Sequence, residues 1–134
     1  MTASILTLIL TLMSFAVLPS DRRSPELSDL IGNWTGTSLC QVKPSACHDE
    51  SVVFRLSHPQ KDRITVQADK IVEGQPVTMG VDDWTYDKPA RSLTYKVPRG
   101  TWKLTVDADG KTMEGTLTTT DHVVFRKVHL ETSP

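Results

Sequence analysis

From residue 31 onward the chain is a run of short segments in which apolar residues recur at every second position, each joined to the next by a few turn residues. A period of two belongs to a strand with one face buried, and it excludes a helical domain over this span. The segments are Ile31–Ser38, Ser51–His58, Arg63–Val72, Pro76–Tyr86, Arg91–Val97, Thr101–Asp107, Thr112–Thr119 and His122–Leu130. Val52, Phe54 and Leu56 share one face of the second, Ile64, Val66 and Ala68 one face of the third, and Trp102, Leu104 and Val106 one face of the sixth. In the fourth, Val77, Met79 and Val81 have one parity and Trp84 and Tyr86 the other, which predicts a bulge near Asp82–Asp83.

Connections this short force neighbouring strands to run antiparallel. Eight such strands in sequence order leave two unpaired edges unless the sheet closes on itself. The expected fold class is therefore all-β, an eight-stranded antiparallel up-and-down barrel over residues 31–130, with 131–134 as a tail. A two-sheet sandwich needs a long crossover, and none occurs after residue 51. Residues 21–30, DRRSPELSDL, are polar apart from Leu27 and Leu30 and read as a linker or a single helical turn into the first strand.

Residues 1–20 differ from everything that follows. They carry no charge, and residues 5–18 are almost wholly apolar. That run is shorter than the roughly 20 residues a bilayer span needs and matches the apolar core of a signal peptide, which predicts cleavage near Asp21 and a periplasmic or secreted protein. A membrane anchor through residues 5–18 is the alternative. Cys40 and Cys47, with six residues between them, are the only cysteines. After an export signal such a pair reads as a disulfide, with Pro44 and Ser45 turning the loop it closes. His48, Asp49 and Glu50 adjoin Cys47, but consecutive residues cannot all point at one ion and no second Cys/His cluster completes a tetrahedron, so no metal is expected.

The first strand carries Gly32-Asn33-Trp34, and the last carries Arg126 within VVFRKVHL. G-x-W in the first strand of an eight-stranded meander resembles the opening motif of the lipocalins and their calycin relatives. That resemblance implies a Trp plugging one end of the barrel, a basic residue of the last strand packed across its indole, and a ligand entering from the other end. It assigns these places to Trp34, Arg126 and Gly32. The segments GTSLC, ACHDE, QADKIVEGQPVTMG and RGTW are similar to small exported bacterial proteins of lipocalin-like fold and unassigned activity.

Charge excludes several functions. The chain has 15 Lys and Arg against 16 Asp and Glu, a net of −1, which gives no electrostatic footprint for nucleic acid or an anionic surface. No catalytic residue is identified. Gly110-Lys111-Thr112 lacks the earlier glycine of a phosphate-binding loop, and Asp107-Ala-Asp109-Gly110 lacks the Glu of a calcium loop. There is no G-x-S-x-G setting for a nucleophile. Asp82 and Asp83, adjacent on a strand, point to opposite faces unless the bulge realigns them. No cofactor is expected, and the chain reads as a monomer and as a binding protein, not an enzyme. Besides an enzyme built at the barrel mouth, which requires converging polar groups that the sequence does not show, two functions remain. One is a carrier of a small apolar ligand, with Trp84, Tyr86, Tyr95 and Trp102 lining the barrel mouth. The other is a protein-binding module, such as an inhibitor of an exported hydrolase, acting through the disulfide-closed loop at 40–50.

Overall fold

The computed structural model describes residues 23–133, with Ala16 alone before them; the expectation of a signal or anchor segment falls outside these residues. Eight strands form one closed barrel in sequence order. They are β1 (Gly32–Cys40), β2 (Glu50–Gln60), β3 (Arg63–Val72), β4 (Gln75–Asp87), β5 (Ser92–Val97), β6 (Gly100–Val106), β7 (Thr112–Thr119) and β8 (Val124–Thr132). All neighbours are antiparallel, and β1 closes the ring on β8 from Trp34 opposite Thr132 to Cys40 opposite Arg126. The expected fold class is therefore observed. Among the described residues no helix is long and apolar enough to cross a membrane.

Alternation places Trp34, Phe54, Ile64, Val66, Leu93, Leu104, Met113, Val128 and Leu130 inside, each at most 2% exposed. Most of this core sits in one half of the barrel, where β1 begins. Residues Leu27–Leu30 form a single 3-10 turn across that end, with Leu27 and Leu30 buried beneath it. The Asp29 carboxylate accepts a hydrogen bond from the Glu26 N–H at 2.9 Å, which holds the turn's start. The turn is tied down twice more. The Trp34 indole N–H donates to the Leu30 carbonyl at 3.0 Å, and the Tyr86 hydroxyl donates to the Pro25 carbonyl at 2.7 Å. This end is closed. A large ring with one polar atom suits such a plug, because its N–H finds a partner while its surface stays dry.

The opposite, open end holds the cysteine loop and the turns β3–β4, β5–β6 and β7–β8. The β3–β4 turn is two residues long, with Glu73 and Gly74 at φ 51° and 78°. Two positive φ values in succession make a type I′ turn, whose twist matches that of paired strands.

Two findings concern β4. The bulge lies at Met79, not near Asp82–Asp83: Ala68 pairs with Gly80 and Asp69 with Thr78, so Met79 is the extra residue. The expected face of Val77, Met79 and Val81 is therefore split. Gly80, Asp82, Trp84 and Tyr86 face inward, while Val81 points out and is 56% exposed. Parity shows only that a switch occurs between Val77 and Trp84. Where it falls is set by how β3 and β4 stagger. The second finding is the β4–β5 seam. β4 runs from Gln75 to Asp87, yet only Thr85, Tyr86 and Asp87 pair with β5. The barrel is splayed along residues 75–84, and side chains rather than backbone bridge the gap.

The outer face beside the bulge holds Asp69, which is 2% exposed because neighbouring side chains cover it. Arg55 Nε donates to its Oδ2 at 2.9 Å, Thr78 Oγ1 to its Oδ1 at 2.8 Å, and Gln67 Nε2 to both oxygens at 3.1 and 3.3 Å. Desolvation pushes this carboxyl up, but the hydrogen bonds from Arg55, Gln67 and Thr78 together outweigh it and hold the pKa below the ordinary value of 3.8. A depressed folded-state pKa contributes stability that is present above the unfolded value and lost as pH falls through the folded one. Asp69→Asn should therefore flatten the acid side of the stability profile below about pH 4, read by urea unfolding at several pH values. At pH 7 it should cost about 1.5–3 kcal/mol, as loss of charged hydrogen bonds does.

Candidate functional site

The open half of the barrel is hollow. A cavity of about 270 Å3 lies there, lined by Ser38, Glu50, Val52, Phe54, Val66, Ala68, Met79, Gly80, Asp82, Trp84, Tyr95, Val97, Trp102 and Arg126. These residues come from β1 through β6 and from β8, so the cavity exists only because the ring closes. Its floor is the filled closed half. A second hollow of about 350 Å3 shares Val97 with it and is lined by Pro98, Arg99, Leu117, Thr119 and Phe125. Leu39, Val72, Val77, Met79, Val123 and Val124 are exposed around the same end.

One wall is aromatic. The rings of Trp84 and Tyr95 are stacked, with centroids 5.7 Å apart at 20°. Trp102 lies 6.4 Å from Trp84, and Phe54 meets Trp84 edge-on at 6.1 Å. The Trp84–Tyr95 pair spans the splayed β4–β5 seam. Tyr95 also reaches Asp82 across it, its hydroxyl donating to Oδ1 at 2.8 Å. That bond to the carboxylate, reinforced by desolvation, pushes the phenol above its usual value, so Tyr95 stays a donor at neutral pH.

Three of the four expected mouth aromatics, Trp84, Tyr95 and Trp102, line the cavity. Tyr86 does not. It sits two residues beyond Trp84 on the same face, deep in the closed half, and its hydroxyl is bound to Pro25. The strand's direction accounts for this: β4 enters at the open end, so its last residues belong to the floor.

Arg126 also departs from its expected place. The β8 residue opposite Trp34 is Thr132, whereas Arg126 lies opposite Cys40, six residues along β1. At about 3.3 Å per residue that is roughly 20 Å. Arg126 therefore does not pack across the Trp34 indole; the two mark opposite ends of the barrel. Gly32, at φ 130°, stands where β1 leaves the 3-10 turn. Arg126 instead works at the mouth. Its Nη1 donates to the Ser38 carbonyl at 3.4 Å, to Ser38 Oγ at 3.2 Å and to the His48 carbonyl at 3.1 Å, and stands 3.7 Å from Glu50.

Those bonds moor the cysteine loop. Cys40 and Cys47 are joined by a disulfide with 5.9 Å between their Cα atoms, within the ordinary span of such a bridge. The Cys40 N–H donates to Asp49 Oδ1 at 2.7 Å, and Ser45 Oγ to the Val42 carbonyl at 2.6 Å. The Lys43–Pro44 peptide is cis. The expected pairing of the cysteines is thus observed, and the loop borders the cavity rather than standing apart from it.

No family model matches this chain, and no curated protein matches it. Chemistry must be read from the cavity itself. Among the described residues, no group of three or more His, Cys, Asp or Glu is placed to hold a metal ion. The polar groups at the cavity are the Arg126–Glu50 pair, Ser38, Asp82 and the Tyr95 hydroxyl. Sequence reasoning leaves Ser38 out, places Glu50 only in the cysteine loop, and does not assign Asp82 to the site. The available signal was parity: Asp82 shares the alternation of Trp84, and Ser38 that of Trp34.

Proposed function

We propose that this chain is an exported carrier of a small, largely apolar ligand, acting as a binding protein rather than an enzyme. The observation that carries this reading is the division of the barrel into a packed half and a hollow, aromatic-walled half. Small-ligand sites are concave, mostly apolar and furnished with a few polar groups. At about 270 Å3 the cavity suits a ligand of one or two rings: an apolar cavity of about 150 Å3 already holds benzene. The G-x-W opening and the strand count support kinship with lipocalin-like proteins, although Arg126 departs from that pattern. The disulfide fits an oxidising compartment and so supports export.

The test starts from protein recovered from the exported fraction of its host, whose N-terminus should lie near Asp21. Titration with 4-phenylbutanol should quench tryptophan fluorescence saturably. The change should survive Trp34→Phe and shrink in Trp84→Phe. Ala68→Phe, which fills the cavity from β3, should abolish binding while the β-sheet spectrum persists. Absence of saturable binding, or binding indifferent to Ala68→Phe, would sink the proposal.

A second reading keeps one specific observation. The 40–50 loop is held by the disulfide, by Asp49 and by Arg126, and residues 43–46 are exposed. A rigid exposed loop binds a protein partner at low entropic cost. Saturable loss of a partner's activity with no ligand binding would favour this reading.

A further inference from the structure

The three charged side chains at the cavity do not balance. Arg126 and Glu50 form a pair at 3.7 Å, and Arg126 Nη1 is engaged by three further oxygens. That pair carries no net charge. Asp82 is the remaining one, and none of the ion pairs among the described residues includes it. Lys70 has the same inward parity on β3, but it lies four residues beyond Val66, the partner of Asp82, about 13 Å along the strand. Asp82 Oδ1 accepts the Tyr95 hydroxyl at 2.8 Å. Its Oδ2 lies over Gly80, so close that a Cβ there would approach it to 3.1 Å. The carboxylate is thus held by a phenol that cannot neutralise it, and it occupies space that a side chain at position 80 would crowd.

Beside it stands the aromatic wall. Asp82 and Trp84 are two residues apart on one face of β4, Trp84 is stacked on Tyr95, and Trp102 follows. Aromatic faces attract cations, and a partly desolvated carboxylate does so more strongly. A neutral ligand filling the cavity would strip water from Asp82 and return nothing, which is costly for a charge. An anionic ligand would add repulsion to that cost.

We propose that the ligand of this cavity is an organic cation, an amine or quaternary ammonium with an apolar body, its charge seated at Asp82 and its body against Trp84, Tyr95 and Trp102. This deepens the small-ligand reading above and rests on it. Asp82 then sets specificity by charge, while the aromatic wall supplies most of the contact area.

The test is calorimetry on the mature protein at pH 7 with three probes that share one body: 4-phenylbutylamine, 4-phenylbutanol and 4-phenylbutyrate. The amine is protonated at this pH. It should bind roughly tenfold tighter than the alcohol, and the carboxylate more weakly than the alcohol. Asp82→Asn keeps an acceptor for Tyr95 and should bring the amine and the alcohol to the same level, weakening the amine and tightening the alcohol, because no charge then loses its water. Asp83→Asn, on the outward face where Asp83 accepts the Thr65 hydroxyl, should change none of the three. An amine no tighter than the alcohol overturns the proposal on the unmutated protein alone, and so does a preference that survives Asp82→Asn. If the alcohol binds and the amine gains nothing, the charge inference falls and the small-ligand reading stands; if none of the three binds, both fall.

Discussion

Trp34→Ala is expected to destabilise the protein by about 3–5 kcal/mol, the range for truncating a buried large aromatic. Trp34 is 1% exposed and sits where β1, β2 and β8 meet the 3-10 turn, opposite Phe54 on one side and Thr132 on the other. Truncation leaves a void beneath Leu27 and Leu30 and removes the N–H that holds the Leu30 carbonyl. The void cannot refill easily, because the flanking strands are fixed by the ring of pairings. Trp34→Phe keeps most of the ring volume and loses the hydrogen bond, so it should cost about 1–2 kcal/mol. Urea unfolding followed by far-ultraviolet circular dichroism measures both. A loss under 1 kcal/mol for Trp34→Ala would show that this end is not the packed floor of the barrel. Ligand binding at the mouth should survive Trp34→Phe.

Gly36→Ala should be nearly as damaging, at about 3 kcal/mol or more, although it adds only one methyl group. Gly36 faces inward on β1 between Trp34 and Ser38, and it pairs with Val52 on one side and Leu130 on the other. A Cβ built there runs into the backbone carbonyl of His129, with Leu130 Cα 3.0 Å away. Neither neighbour is the end of a flexible side chain, so β1 and β8 must move apart. Overpacking ordinarily costs about 1–3 kcal/mol. Here it falls on the seam that closes the ring, and a weakened seam exposes two strand edges at once. Beyond the stability loss, amide exchange should quicken selectively in β1 and β8 relative to β3 and β4. Equal protection in all strands would place the strain elsewhere.

Different parts of the site were legible to different degrees. Trp84, Tyr95 and Trp102 are readable as interior residues because parity fixes which face a strand residue takes. Tyr86 shares that parity and was assigned with them, yet it plugs the floor, because parity says nothing about height along the barrel axis. Arg126 departs for the same reason: the lipocalin resemblance places it on the last strand beside Trp34, whereas the stagger between β1 and β8 sets it beside Cys40. The bulge was inferred correctly in kind and misplaced by three residues at least, since its position at Met79 follows from the β3–β4 register.

Local physics in the sequence determined the strands, their order and their antiparallel sense, because side-chain alternation and turn chemistry act over a few residues. It also determined that closure was the way to bury two edges, and that two cysteines with six residues between them were placed to bond. The tertiary structure alone decided how full the barrel is, since a cavity is the difference between the enclosed volume and side chains contributed by eight separate strands. It alone decided the charge of the mouth. Glu50 and Arg126 lie 76 positions apart in the chain, and only the stagger of a closed ring brings them within 3.7 Å, while Asp82 enters none of the ion pairs among the described residues.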